Sequence, residues 1–290
     1  MASIEALDAG SLPYLVNKTY KLYRCSPLFG FGGFDPRRRR RTEASLRRYL
    51  AIHMNLHNSD EPDPPAQAFG RSQVRGELTK VEIQTMTIPE WPLVRPQWKP
   101  LDISITIQLK GKPTPNTHNV LMFPAITPGK AQLPDEFACY PLVLMKTTHG
   151  VGEFVGTWLC KCFDSYLGPL HISNKTFETL VEAWTHGLYD SLETADLVEA
   201  TIPSRPYNYQ SLELTYSVPN LEEITAISVS IRKEELMKIV GIIRANRMTT
   251  MQAIHHYVFR NTRLNISSLV LTRIGTPVAY LSTDGKLKVN

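Results

Sequence analysis

The chain has 290 residues and a net charge of +5 with its histidines neutral, which is enough length for one large domain or two of ordinary size. Its 42% apolar and 20% charged residues are typical of a soluble globular protein. No run of roughly 18 apolar residues occurs and the N-terminus has no basic segment, so the sequence predicts neither a transmembrane helix nor a secretory signal.

The positive charge is concentrated in the N-terminal half. Residues 1–148 hold 19 Lys and Arg against 13 Asp and Glu, whereas residues 149–290 hold 13 against 14. Because excess positive charge attracts polyanions, any contact with nucleic acid is expected in the first half.

The first predicted elements surround a run of arginines. A strand is predicted over residues 19–28, a glycine-rich turn over 30–34 and a helix over 42–54. Like charges repel one another and stay in water, so an exposed loop is expected for the run itself. It consists of Arg37, Arg38, Arg39, Arg40 and Arg41.

Three interpretations of this arginine run are open. Most such runs are simply solvated. In a basic half, the run could contact DNA phosphates, and it could equally be a nuclear-localisation patch.

The rest of the N-terminal half is predicted to form strands. Residues 101–109 alternate apolar and polar side chains, which is typical of an antiparallel sheet covered on one side. Further strands are predicted over 74–88, 120–126 and 139–146.

Residues 153–190 carry apolar side chains at helical spacing on both sides of Gly168-Pro169. This pattern predicts two helices joined by a short turn, a helical hairpin. Each helix carries a tryptophan, and both Trp158 and Trp184 are expected to be buried close together.

The C-terminal half combines strands with two more helices. Strands are predicted over 212–218, 227–231 and 268–274, and helices around 236–243 and after Thr249.

The chain closes on a β-hairpin. Asp284-Gly285 is a two-residue turn signal between strands over 278–282 and 286–289. The last strand is expected at a sheet edge, where its backbone could pair with a partner's strand. Lys286 and Lys288 could instead protect a free edge from association.

Together these elements predict an α+β fold of mixed, mostly antiparallel sheets with packed helices, two sub-domains and a C-terminal β-hairpin at a sheet edge. The expected sub-domains are a basic N-terminal one over 1–148, and one over 149–290 that contains the helical hairpin and a sheet and binds a partner.

No residue set predicts chemistry. The glycine-rich segment that starts at Gly30 does not lead directly into a predicted helix and does not end in the residues typical of a phosphate-binding loop. The histidines are scattered, and the cysteines lack zinc-site spacing, which favours reduced thiols in a nuclear or cytosolic protein. We therefore predict no catalytic, cofactor or metal site, and no enzyme.

Several short segments resemble the centromere protein L family of the inner kinetochore. They lie at both ends of the chain and around the predicted helical hairpin. The segments are Tyr20-Lys-Leu-Tyr23, Ser26-Pro-Leu-Phe29, Phe137-Ala-Cys-Tyr-Pro-Leu-Val-Leu, Gly156-Thr-Trp158, Cys162-Phe-Asp-Ser-Tyr166, Pro169-Leu, Ala183-Trp184-Thr185, Thr272-Arg273-Ile274 and Ser282-Thr-Asp-Gly-Lys-Leu-Lys288.

The resemblance implies a mixed α/β fold of two sheets and a non-catalytic structural subunit of the constitutive kinetochore network at the nuclear centromere. It also implies pairing with centromere protein N, which reads the centromeric nucleosome, and contact with other subunits and DNA. Neither a membrane nor a small-molecule substrate is expected. The alternative is a stand-alone nucleic-acid-binding protein that uses the basic half.

The resemblance further implies that the C-terminal region binds the partner. The candidate partner-binding residues are Val278, Ala279, Tyr280, Lys286, Leu287, Lys288 and Val289, and the candidate DNA-binding residues are Arg37–Arg41.

Overall fold

The computed structural model of the chain shows two compact units. It describes residues 15–32, 35–55, 76–88, 95, 98–109, 111–126, 134–199, 211–219, 224–276 and 279–289. Unit 1 consists of Met1–Val16 and Tyr20–Leu170, and unit 2 of Asn17–Thr19 and His171–Asn290. The main division therefore falls after residue 170, whereas the sequence-based boundary lies at 148.

Unit 1 contains two helices and eight strands among the described residues. In chain order they are β1 (Lys18–Cys25, whose first two residues belong to unit 2), β2 (Leu28–Phe29), α1 (Pro36–Asn55), β3 (Glu77–Thr85), β4 (Leu101–Gln108), β5 (Asn116–Phe123), β6 (Phe137–Ala138), β7 (Leu142–Lys146), α2 (His149–Phe163) and β8 (Leu167–Pro169).

The main sheet of unit 1 is antiparallel, in the order β1-β7-β5-β4-β3, with β8 paired to β1 and a separate β2-β6 pair. β4 lies between β3 and β5: Ile103 is opposite Ile83 of β3 and Val120 of β5. All three side chains are buried, because they share the face of the sheet that α1 and α2 cover.

The second face of this sheet differs from the expectation. The alternation of β4 predicts a wet polar face, but Asp102 is only 8% and Asn119 only 6% exposed. The Asn119 amide Nδ2 donates to Asp102 Oδ1 at 3.3 Å and to Ser104 Oγ at 3.0 Å. These hydrogen bonds between β4 and β5 provide partners for buried polar side chains, which the alternating pattern of β4 predicts to be exposed to water.

Aromatic rings fill the core of unit 1 beneath α2. Trp158 is fully buried and meets Phe163 edge to face at 5.1 Å between ring centroids. Phe31 contacts Phe163 at 5.0 Å and Tyr140 at 5.9 Å in the same manner. Such contacts are favoured because the positive edge of one ring meets the negative face of the next.

The predicted helical hairpin is wrong. The strand β8 follows α2, and the next helix, α3 (Asn174–Glu199), belongs to unit 2. Trp184 is half-buried rather than buried. The helical spacing was assigned correctly, but Gly168 and Pro169 lie in a strand paired with β1 instead of a turn.

Unit 2 contains a second antiparallel sheet and three helices among the described residues. After α3 come β9 (Ser211–Ser217), β10 (Ala226–Arg232), α4 (Lys233–Asn246), α5 (Thr250–Thr262), β11 (Val270–Gly275), β12 (Ala279–Ser282) and β13 (Lys286–Val289). The strand order is β10-β9-β11-β12-β13.

Packing of apolar helix faces on this sheet forms the core of unit 2. Phe177 and Val181 of α3, Ile239 of α4 and Ile254 of α5 are fully buried, as is Leu214 of β9. The spacing of these residues places each on the inner face of its element.

The α+β class is confirmed, since five helices accompany thirteen mostly antiparallel strands in the described parts of the chain. The C-terminal hairpin at a sheet edge is also confirmed, because β12 and β13 end the run of strands contributed by residues 171–290. Within the described residues, no helix is both long and apolar enough to cross a lipid bilayer.

Candidate functional site

The arginine run is helical, so the expected exposed loop is wrong. Helix α1 begins at Pro36, and the preceding Asp35 caps it: the Asp35 carboxylate Oδ1 accepts from the Arg37 backbone N–H at 2.9 Å. An aspartate cap followed by proline at the first helical position is a common helix start. All five arginines therefore lie in the first two turns of α1.

The helix separates these five arginines. Arg37, Arg40 and Arg41 are exposed, whereas Arg39 is half-buried and its Nε lies inside the protein. Arg38 is exposed on the flank of the helix, where its Nε lies 4.0 Å from the Asp35 carboxylate. The run is therefore not one exposed group of five charges.

Two further arginines, Arg47 and Arg48, are exposed two turns later on α1. Sequence reasoning missed them as site residues. The signal was available, because residues spaced by seven, such as Arg40 and Arg47 or Arg41 and Arg48, share a helix face. Assigning the run to a loop removed that spacing from consideration.

The opposite face of α1 fixes the helix on unit 1. Leu46, Leu50 and Met54 are buried in the core. The Trp158 indole Nε1 donates to Ser45 Oγ at 3.2 Å, and the Glu43 carboxylate accepts from the Ile83 backbone N–H of β3 at 2.8 Å. These contacts hold α1 in one orientation, with its arginines outward.

An open cleft of about 290 Å³ lies between the start of α1 and β3. Arg39 and Arg40 line it together with Glu43 and Glu82. Two carboxylates therefore face two guanidinium groups, and the cleft carries no excess charge. The excess positive charge of α1 lies on its outer face instead.

The candidate partner-binding residues are brought together in the β12-β13 hairpin. Tyr280 lies opposite Lys288, and Leu281 opposite Leu287. Lys286 and Lys288 are exposed, while Ala279, Tyr280, Leu287 and Val289 are half-buried. Val278 lies outside the described residues.

The turn of this hairpin differs from the predicted two-residue turn. Three residues, Thr283, Asp284 and Gly285, separate the strands. Gly285 has φ of +73°, and its N–H donates to Ser282 O at 3.0 Å. A type I turn followed by a left-handed glycine is the usual form of three-residue hairpin loops.

Polar contacts support the hairpin on both sides. The Tyr280 hydroxyl donates to Glu213 Oε2 of β9 at 3.0 Å. The pKa of Tyr280 is raised, mainly by burial and secondly by its hydrogen bond to this carboxylate. Lys286 Nζ lies 2.6 Å from the Asp284 carboxylate, and this contact lowers the pKa of Asp284. These contacts order the turn and place Lys288 on the surface.

The outer side of β13 is partly engaged. In the strand order of unit 2, β13 is followed by the first residues of β1, Lys18 and Thr19. At the other end, β10 has β9 on one side and no described strand on the other. The edge is therefore less open at β13 than a terminal strand suggests.

Other titratable groups serve packing. His53 stacks on Phe154 at 5.7 Å between ring centroids, and the Tyr49 ring lies 4.2 Å from the His53 ring at a tilted angle. Cys25 is buried, which raises the pKa of its thiol to about 11. Among the described residues, no group of three or more His, Cys, Asp or Glu side chains is placed to hold a metal ion.

Comparison with known proteins identifies the family. The sequence model of centromere protein L matches residues 14–290. The chain belongs to the centromere protein L family. The resemblance seen in short segments is thereby confirmed over nearly the whole chain.

Curated members of the centromere protein L family are distant relatives. Identity to the Gallus gallus protein is 23% over 299 residues, covering 98% of this chain and 77% of the relative. Identity to the Homo sapiens protein is 27% over 156 residues, 53% of this chain and 43% of the relative. Identity to the Xenopus tropicalis protein is 28% over 155 residues, which cover 52% of this chain and 40% of the relative. The human and frog alignments thus span about two fifths of those proteins.

Proposed function

We propose that this chain is a non-catalytic structural subunit of the inner kinetochore, located at centromeres in the nucleus. It pairs with centromere protein N and helps to hold the kinetochore network on centromeric nucleosomes during chromosome segregation. The observation that carries this proposal is the family match over residues 14–290.

The C-terminal hairpin is the proposed partner-binding surface. Its exposed lysines and half-buried Leu287 and Val289 form a strip where apolar and charged groups alternate. Because β1 already engages part of the outer side of β13, a partner strand would add backbone hydrogen bonds only along the rest of it, and the alternate side chains would select that strand. A stable subunit interface buries roughly 2,000 Å² or more, so the hairpin forms one part of it.

Proline substitution tests this surface. Leu287→Pro removes a backbone donor from β13, and we expect co-purification with centromere protein N to be lost while the helical circular dichroism signal is retained. The matched control is Val229→Pro in β10, at the other end of the unit 2 strand order. If Leu287→Pro binds the partner as tightly as the parent, or if both variants fail equally, the hairpin is not the interface.

A second function, DNA contact through Arg37–Arg41, is favoured by the exposed positive charge at the start of α1. Each phosphate contact contributes about −0.9 to the slope of log affinity against log salt. Replacing the exposed Arg37, Arg40 and Arg41 with Gln should flatten this slope by up to about 2.7. An unchanged slope would show that these arginines do not touch DNA.

Expression of the chain alone separates the subunit from a stand-alone nucleic-acid-binding protein. An obligate subunit should be poorly soluble or self-associated alone and be rescued by co-expression with its partner. A stable monomer that binds DNA at the same affinity with or without centromere protein N would favour the stand-alone alternative.

A further inference from the structure

One face of helix α1 carries only positive charge. At 100° per residue, five exposed arginines fall within an arc of about 120°. They are Arg37, Arg40, Arg41, Arg47 and Arg48, and we call this set the arginine face. The other α1 residues at positions within this arc are Ala44, Ala51 and Asn55, so no acidic residue shares it.

The acidic groups nearest to this face are already engaged. Glu43, the only acidic residue of α1, borders this arc, and its carboxylate accepts from the Ile83 backbone N–H of β3 at 2.8 Å. The Asp35 carboxylate caps the helix and faces Arg38. Neither carboxylate lies within the arginine face. Arg40 also lines the cleft with Glu43 and Glu82, so the charge left to attract a ligand is carried mainly by Arg37, Arg41, Arg47 and Arg48.

The arginine face does not serve folding. One of its residues, Arg37, lies in the first turn, where the positive end of the helix dipole disfavours cations. Arg37 and Arg41 also repel each other as an i,i+4 pair of like charges. Local rules are commonly broken in this way where a binding function requires it.

We propose that the arginine face of α1 binds the phosphate backbone of double-helical DNA, with Arg47 and Arg48 as binding residues equal to Arg37, Arg40 and Arg41. This inference rests on the DNA contact proposed above and extends it in two respects. It adds a second group of arginines, and it excludes Arg38 and Arg39.

The shape of the face favours a duplex. The centres of the two groups of arginines are separated by about 12 Å along the helix, at 1.5 Å per residue. The major groove is about 12 Å wide, so both groups can reach phosphates of one duplex segment. The small side chain of Ala44 lies between them and allows close approach.

Single strands are disfavoured by the same face. Proteins that bind single-stranded nucleic acid combine positive charge with exposed aromatic rings on which bases stack. The arginine face contains no aromatic residue, and the α1 rings of Tyr49 and His53 pack against each other. Contact with phosphates alone also predicts no preference for base sequence.

The decisive experiment measures the salt dependence of binding to a 20-base-pair duplex of arbitrary sequence, using the full chain. Arg47→Gln with Arg48→Gln should flatten the slope of log affinity against log salt by about 1.8, because two phosphate contacts are lost. The matched control, Arg38→Gln with Arg39→Gln, removes two charges from the same helix outside the arginine face. It should change the slope by less than about 0.5.

The outcomes separate this inference from the simpler DNA contact. If replacing Arg37, Arg40 and Arg41 flattens the slope but replacing Arg47 and Arg48 does not, the extended face is wrong while DNA contact remains. If neither set changes the slope, both are wrong. If the Arg47/Arg48 and Arg38/Arg39 variants changed the slope equally, DNA would respond only to the total positive charge of the helix, and the proposed arginine face would be wrong.

A second readout tests the choice of ligand. Duplex DNA should slow amide hydrogen exchange across residues 37–48 of α1 and compete better than a single strand or duplex RNA of the same length. Poly-glutamate at equal charge concentration should have a smaller effect. If poly-glutamate protects α1 more than duplex DNA does, the face binds an acidic protein and the proposal fails.

Discussion

Helix starts in the two units are built differently. In unit 2, α4 has Glu234 and Glu235 in its first turn, and the Glu235 carboxylate accepts from the Arg232 backbone N–H at 3.1 Å. In unit 1, α1 has a cap at Asp35 but no acidic residue in its first turn and arginines throughout its first two turns.

Helix α5 of unit 2 also begins with a stabilising cap. The Thr249 hydroxyl accepts from the Gln252 backbone N–H at 3.2 Å, and the Gln252 side chain accepts from the Thr249 backbone N–H at 3.0 Å. This reciprocal capping box satisfies two backbone donors at once. The start of α4 thus carries acids that favour the helix dipole and the start of α5 is capped by neutral groups, whereas in α1 the acidic cap Asp35 is followed by arginines.

The largest expected effect on stability comes from Trp158, which packs against the inner face of α1. Trp158→Ala should destabilise the protein by about 3–5 kcal/mol, because it empties a fully buried site. It also removes the hydrogen bond to Ser45 of α1. Trp184→Ala, at a half-buried position, is the control and should lose clearly less in denaturant unfolding. Equal losses would contradict the packing described for unit 1.

Capping of α5 should have the next largest effect. Thr249→Ala removes the side-chain acceptor and should cost about 0.5–2 kcal/mol in the free energy of unfolding. Thr249→Ser keeps a hydroxyl in the same place and should cost much less. A Thr249→Ala variant as stable as the parent would show that the capping box contributes nothing to unit 2.

Sequence reasoning succeeded where one local pattern decides the structure. The alternation over 101–109 predicted β4, and Thr249 with Gln252 predicted the start of α5. The Asp284-Gly285 signal located the C-terminal hairpin, although the turn has three residues. Each of these signals lies within about ten residues of chain.

Sequence reasoning failed where distant residues decide the structure. Asp102 is buried because Asn119 of β5 bonds to it, and nothing within β4 indicates that partner. Gly168-Pro169 forms a strand because β1, far away in the chain, supplies the pairing.

The error at α1 had a different cause. Repulsion among Arg37–Arg41 predicts a loop, whereas the start signal Asp35-Pro36 and the burial of Leu46 and Leu50 produce a helix. The helix places Arg38 and Arg39 outside the proposed arginine face and Arg47 and Arg48 within it.

A smaller effect on stability, which depends on pH, is expected at the start of α2. The cap residue Thr148 makes no side-chain capping bond, and its backbone N–H donates to His118 Nδ1 at 3.4 Å. Burial, and then the charge of Lys146, lowers the pKa of His118 from its ordinary value of 6.5. The unfolded chain therefore binds this proton more readily than the folded protein does.

The sign of the pH dependence follows from this difference. The contribution of neutral His118 to stability is present above about pH 6.5 and is lost as the pH falls below that value. His118→Gln keeps an acceptor but cannot titrate in this range, so the fall in Tm between pH 7 and pH 5 should be shallower. His149→Gln, at an exposed neighbouring histidine, is the control. Parallel curves for His118→Gln and the parent would contradict this role.

The most direct test measures folding and binding in one variant, Arg37→Glu with Arg41→Glu. Arg37→Glu places an acidic residue in the first helix turn, where it is favoured by roughly 0.3–1 kcal/mol, so the free energy of unfolding should rise slightly. Affinity for duplex DNA in 100 mM salt should fall at least tenfold, because two attractive contacts become repulsive. A variant that is less stable than the parent, or that binds DNA unchanged, would contradict the claim that the arginine face exists for a polyanion.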